Sequence, residues 1–142
     1  MPVGLVVGNS FYDIGEGALL HSFFSTISHN LEPKGWGTKY PLLMNELYHG
    51  SLKWKKADKV IESLQSIKES FTHISTDKVV WDIEDLSIEP PWGINLNNPY
   101  VNDLSNYFVT NDKYDLFDVF IAALTQSKND KKNIDIRVYT EE

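Results

Sequence analysis

Residues 3–31 read "VGLVVGNSFYDIGEGALLHSFFSTISHNL", and the change of rhythm inside this stretch decides the fold class. Its first half, Val3 to Ile14, is apolar and β-branched before Gly8-Asn9-Ser10 and aromatic after it, the pattern of two strands joined by a tight turn. Beyond Gly15-Glu16-Gly17 the period changes. Leu20, Phe23, Phe24, Ile27 and Leu31 follow the three-and-four spacing of one helical face, and Pro33 with Gly35 closes the run. An N-terminal hairpin leading into a helix over about residues 17–31 is therefore predicted.

Downstream, Pro41 suits a first helical turn, Leu43, Met44, Leu47 and Tyr48 share a face, and Gly50 ends a short second helix. Trp36, set between two glycines, is read as covering a core edge, an exposed recognition aromatic being the alternative. From Ser51 onward, Ala57, Val60, Ile61, Leu64, Ile67 and Phe71 hold one face of a long third helix. "DKVVWDI" has the β-branched and aromatic content of a strand, which Pro90-Pro91 forbids from continuing. Residues 87–102 form a long irregular connection, of a length that in compact domains points to function. "LSNYFVT" reads as a further strand or a turn leading into one. Asp115 then caps a fourth helix with Leu116, Phe117, Phe120 and Leu124 inward, and Ile134, Ile136 and Val138 alternate along a closing strand. The sum is a single α+β domain over residues 1–142: the hairpin and later strands in a mostly antiparallel sheet, with the first, third and fourth helices packed on it and one short helix besides.

Neither disorder nor a membrane span is indicated by 42% apolar and 23% charged residues with no apolar run near the roughly 20 residues a bilayer requires. The start "MPVGLVVGNSF" lacks the basic region and long apolar stretch of a signal peptide, so a cytoplasmic protein is expected. The absence of cysteine removes disulfides, thiolate zinc sites and cysteine nucleophiles together. The formal charge of −7 is concentrated. Residues 77–118 hold nine acids (Asp77, Asp82, Glu84, Asp85, Glu89, Asp103, Asp112, Asp115, Asp118) against Lys78 and Lys113, while acids and bases balance elsewhere. Such a field repels nucleic acid and draws in basic proteins at salt-sensitive rates.

Within that segment, "VVWDIEDLSIEPPWG" (residues 79–93) gathers four carboxylates and two tryptophans with no Lys or Arg, which residues 79–112 lack altogether. On a strand, Asp82 and Glu84 share a face and with Asp85 form a possible carboxylate cage for Mg²⁺ or Ca²⁺. The D-x-D-x-D-G calcium pattern and a nearby nuclease lysine are both missing. Paired carboxylates beside Trp81 and Trp92 also fit glycoside hydrolysis, although nothing else marks a sugar cleft. His21, Ser25 and His29 lie on one side of the first helix, but the two histidines are about 12 Å apart along its axis and form no shared metal site; a solvated or partly buried polar stripe is expected. No familiar nucleophile, phosphate or zinc signature occurs. A protein-binding surface needs an acidic field, an aromatic anchor and a stiffened loop, and this stretch has all three. Acids that merely solvate a folded domain are the plain alternative.

Four long strings, "YDIGEGALLHSFFSTISHNLE", "WGTKYPLLMNELYHGSL", "VVWDIEDLSIEPPWG" and "LSNYFVTNDKYDLFDVFIAAL", resemble in order the blocks of the immunity protein 70 family, over about residues 4–138. The resemblance implies a bacterial antitoxin, encoded beside a polymorphic toxin, that binds the cognate toxin domain without catalysis, cofactor or metal. No family list of interface positions carries over. The toxin-binding residues expected from charge are Asp82, Glu84, Asp85 and Glu89, which set rate and specificity, with Trp92 as the anchor. The rival function is a small hydrolase, metal- or acid/base-dependent, using the same carboxylates.

Overall fold

The computed structural model describes residues 2–93 and 98–139. Strands β1 (Pro2–Val7) and β2 (Ser10–Glu16) form the expected hairpin, with Val7 opposite Ser10 and a positive φ of 56° at Gly8 in the two-residue turn. The pairing slips between Val3 and Gly4. A Cβ at Gly4 would sit 2.7 Å from the Tyr12 carbonyl oxygen and overlap the Phe11 ring, so the strands approach here only because the side chain is absent.

Helix α1 (Gly17–Leu31) follows β2 directly. After it come a π-helical turn (Leu42–Leu47) where the short helix was expected, strand β3 (Ser51–Leu52), α2 (Ala57–Phe71), α3 (Leu116–Asp130) and strand β4 (Ile134–Val138). The sheet runs β2-β1-β4-β3 and is antiparallel throughout, with Leu5 opposite Ile136 and Leu52 opposite Ile134. The closing strand thus pairs with the hairpin, giving an α+β fold.

One core joins the sheet to α1 and α3 and continues into Val60, Leu64, Ile67 and Phe71 of α2. Leu20, Phe23, Phe24 and Ile27 of α1 meet Phe117, Phe120 and Leu124 of α3 beneath Leu5, Val7 and Ile134, all buried. Phe23 stands 5.0 Å from Phe117 edge-to-face, 5.2 Å from Phe108 and 5.7 Å from Phe120. Each such ring contributes roughly 2–3 kcal/mol by leaving water. The Asp115 carboxylate caps α3 as expected, accepting from the Phe117 amide at 2.8 Å. Trp36 does cover a core edge: its Nε1 donates to the Met44 carbonyl at 3.0 Å, and its ring meets Tyr48 at 5.0 Å.

Four expectations are corrected. The third helix begins at Ala57, because Ser51–Leu52 joins β4 and sends Leu52 into the core. That helix takes its main contacts from α3 and the short turns at 42–47 and 104–106 rather than from the strands, so of the long helices α1 and α3 cover the sheet, with the turn at 42–47 set against β3 and β4. Residues 79–83 form no strand at all, and residues 104–110 supply only a short helical turn (Leu104–Asn106) and one isolated bridge, Val109 to Asp115.

Candidate functional site: an acidic loop pinned to helix α1

The absent strand explains the site. Val79 is extended and both Val79 and Val80 are buried, yet no strand among the described residues receives them. Their partners are hydroxyls on α1. The Val80 amide donates to Thr26 Oγ1 at 3.0 Å, and the Val80 carbonyl accepts from Ser22 Oγ at 2.8 Å and from Thr26 Oγ1 at 3.1 Å. Between these two hydroxyls Ser25 Oγ accepts from the Ile83 amide at 3.2 Å, and one turn beyond them Asn30 Nδ2 donates to the Lys78 carbonyl at 3.1 Å. Residues three and four apart share a helical face, so one stripe of α1 does for this segment what a sheet edge would have done. Ser22, Ser25 and Thr26 are fully buried as a result, and His29 alone of the expected polar stripe faces water.

His21 completes the attachment. Its Nε2 lies 3.1 Å from Asp82 Oδ1 and its Nδ1 2.6 Å from the Tyr48 hydroxyl. An ionised carboxylate only accepts, so Nε2 carries a proton, and in the neutral imidazole Nδ1 then accepts from the Tyr48 hydroxyl. Asp82 also accepts from the Glu84 amide at 2.9 Å; that bond first, and then His21, holds its carboxyl below the usual range. Burial, followed by the nearby charges of Glu84 and Asp82, pushes the Tyr48 phenol up. A Tyr-His-Asp chain therefore exists, but its hydroxyl is made less acidic, the reverse of what a nucleophile requires.

Beyond Asp82 the chain makes three tight turns, closed by amides of Asp85, Ile88 and Gly93 donating to carbonyls of Asp82, Asp85 and Pro90 at 3.1, 3.2 and 2.8 Å. Asp85 braces the second by accepting from the Ser87 amide and hydroxyl at 3.1 and 2.6 Å. Trp81 and Trp92 meet edge-to-face at 5.4 Å and shut the loop at its base, an Ω-like arrangement. The Trp92 indole N–H is spent on the Tyr107 hydroxyl at 2.7 Å, while 47% of the residue remains exposed.

Of the residues singled out from sequence, Glu84, Asp85 and Glu89 are exposed, Asp82 is half-buried against His21, and Trp92 presents part of its ring. They share one loop but not one point. Glu89 lines a cleft of about 450 Å³ beside Leu86 and Ile88, whereas Trp92 lines a separate groove of about 510 Å³, with Trp81 as the wall common to both. Among the described residues no group of three His, Asp or Glu side chains is placed to hold a metal ion, so the carboxylate cage does not assemble. Leu86 and Ile88, 62% and 45% exposed, line the first cleft and were not singled out from sequence. Their signal was present: two large apolar residues between acids, in a run with no helical or strand partner to bury them.

No helix among the described residues is long and apolar enough to cross a membrane. No curated protein and no solved structure matches the chain. The family model described as Immunity protein 70 matches residues 5–136, nearly the whole sequence and every element from β1 to β4. On that match the chain belongs to the Immunity protein 70 family.

Proposed function

We propose that this protein is a cytoplasmic, non-catalytic immunity protein that binds the toxic domain of a cognate bacterial polymorphic toxin and neutralises it through the acidic loop. The contacts are Asp82, Glu84, Asp85, Glu89 and Trp92. Family membership supports a protein toxin as partner. The observation that carries the choice of surface is the way the loop is prepared. It is tied to α1 through Val80, Asp82 and Ile83 and shut by Trp81 and Trp92, yet it turns Glu84, Asp85 and Glu89 to solvent. A loop ordered before contact loses little entropy on binding, and unopposed carboxylates accelerate encounter with a basic surface.

The test is co-expression with the toxin domain of the neighbouring gene, scored by growth and by co-purification. Neutral isosteres at all four acids (Asp82→Asn, Glu84→Gln, Asp85→Asn, Glu89→Gln) should slow association at least tenfold and flatten its salt dependence. Protection and association equal to wild type would reject this surface.

A further inference from the structure

The groove on the Trp92 side of the loop is a different kind of surface from the acids above it. Leu19 at the start of α1, Trp81, Trp92, Val101, Tyr107 and Val109 form its apolar walls, at about 510 Å³ within the range of ligand-binding pockets generally. Its side chains are not a closed core: Trp92 is 47% and Val109 36% exposed. Asn98, Thr110 and Asn111 also line it, but each has a partner within the chain: Asn98 Oδ1 accepts from the Tyr100 amide, Thr110 Oγ1 from the Tyr114 amide, and Asn111 Nδ2 donates to Asp13. The Trp92 N–H is already donated to Tyr107, and burial pushes the Tyr107 phenol up, so that hydroxyl stays neutral.

Charge narrows the occupant. The loop carrying Asp82, Glu84 and Asp85 begins at the groove wall, one residue past Trp81, and the chain from Val79 to Asp112 has no Lys or Arg. Lys113 and Glu16, the charged residues at the groove itself, offset each other. An apolar group arriving on an acidic or neutral element gains nothing from that field, while one flanked by cations is drawn in and then desolvated against indole.

Resting on the immunity reading above, we propose that this groove is the affinity-determining receptor for one large apolar side chain of the toxin, aromatic or leucine-like, carried between lysines or arginines. The acids steer and the groove retains. Central aromatic pockets of this kind carry most of the binding energy in protein interfaces, with charged rims acting mainly on association rate.

The two roles separate kinetically. With the full-length chain and the toxin domain of the neighbouring gene, Val109→Gln and Val101→Gln should each raise the dissociation rate tenfold or more, leaving the association rate and its salt slope unchanged; the four-acid variant should show the reverse. Groove variants must retain the wild-type thermal midpoint. A measurement on the wild-type chain accompanies them: toxin binding should protect its tryptophan emission from acrylamide, and a Trp92→Phe chain, which identifies the reporting indole, should lose most of that protection. Dissociation rates within twofold of wild type for both valine variants, or quenching unchanged by the toxin, overturn the groove while toxin binding itself stands. If wild type and toxin form no complex, the immunity reading falls and the groove proposal with it.

Discussion

Trp81 and Trp92 meet at 5.4 Å with ring planes 82° apart, joining the two ends of an acidic loop that would otherwise have no closure. Edge-to-face pairs contribute about 0.5–1.5 kcal/mol beyond the area they bury. A double-mutant cycle with Trp81→Leu and Trp92→Leu, read by urea unfolding, should return a coupling energy in that range. Additive effects would show that the rings touch without supporting each other.

The hydroxyls on α1 make a sharper demand. Thr26→Val removes both the acceptor of the Val80 amide and one donor to its carbonyl, so a buried N–H is left unpaired, at a cost of about 1–3 kcal/mol. Ser22→Ala leaves that carbonyl its Thr26 bond and should cost less, about 1 kcal/mol. Hydrogen exchange at the Val80 amide should accelerate in Thr26→Val and stay near wild type in Ser22→Ala.

Asp82 links the loop to acidity. Its folded pKa lies below the ordinary 3.8, chiefly through the Glu84 amide and then His21. A depressed carboxyl contributes stability above its unfolded value and loses it as the pH falls through the folded one. The stability difference between wild type and Asp82→Asn should therefore be constant at neutral pH and shrink from about pH 4 downward. A difference that persists undiminished at about pH 2 would contradict this assignment.

Asp115 behaves oppositely. Burial raises its carboxyl, and Lys68 at 3.6 Å and the Phe117 amide only partly counter this. Its charge is thus a burden while its cap is an asset. Asp115→Asn keeps a capping oxygen and should stay within about 0.5 kcal/mol of wild type at pH 7, whereas Asp115→Ala should lose about 1 kcal/mol. Thermal unfolding of the two variants side by side distinguishes them.

Gly4 is constrained by backbone rather than by a side chain that can turn aside. With the Tyr12 carbonyl oxygen 2.7 Å from any added Cβ, Gly4→Ala should destabilise by about 1–3 kcal/mol, and Phe11→Ala in the same chain should restore little of it. Full rescue would place the obstruction in the Phe11 ring alone.

What could be read from sequence was what neighbours in the chain decide. The hairpin, α1, the Asp115 cap and the closing strand all depend on spacings within a few residues, and all appear in the fold, although burial along β4 fades from Ile134 to an exposed Val138 instead of alternating. "VVWDI" has every local mark of a strand, but the groups that satisfy Val80 lie 54 and 58 residues upstream on a helix, where no periodicity in the segment reports them. β3 escaped for a related reason: two residues are too few to show alternation. The acids were legible as composition. Their attachment through His21, the Trp81–Trp92 closure and the exposure of Leu86 and Ile88 are products of tertiary contact and were not.

The anchors that hold the loop have one further property. Ser22, Ser25, Thr26 and Asn30 all bond to main-chain atoms, those of Lys78, Val80 and Ile83, and so take no notice of which side chains the segment carries. Glu84, Leu86, Ile88 and Glu89 can therefore be exchanged, reversing charge or replacing leucine by another bulky group, without touching these anchors, whereas Asp85 and Ser87 brace their own turn. Under the binding proposal above, recognition at those positions can change while the anchors that hold the loop stay as they are.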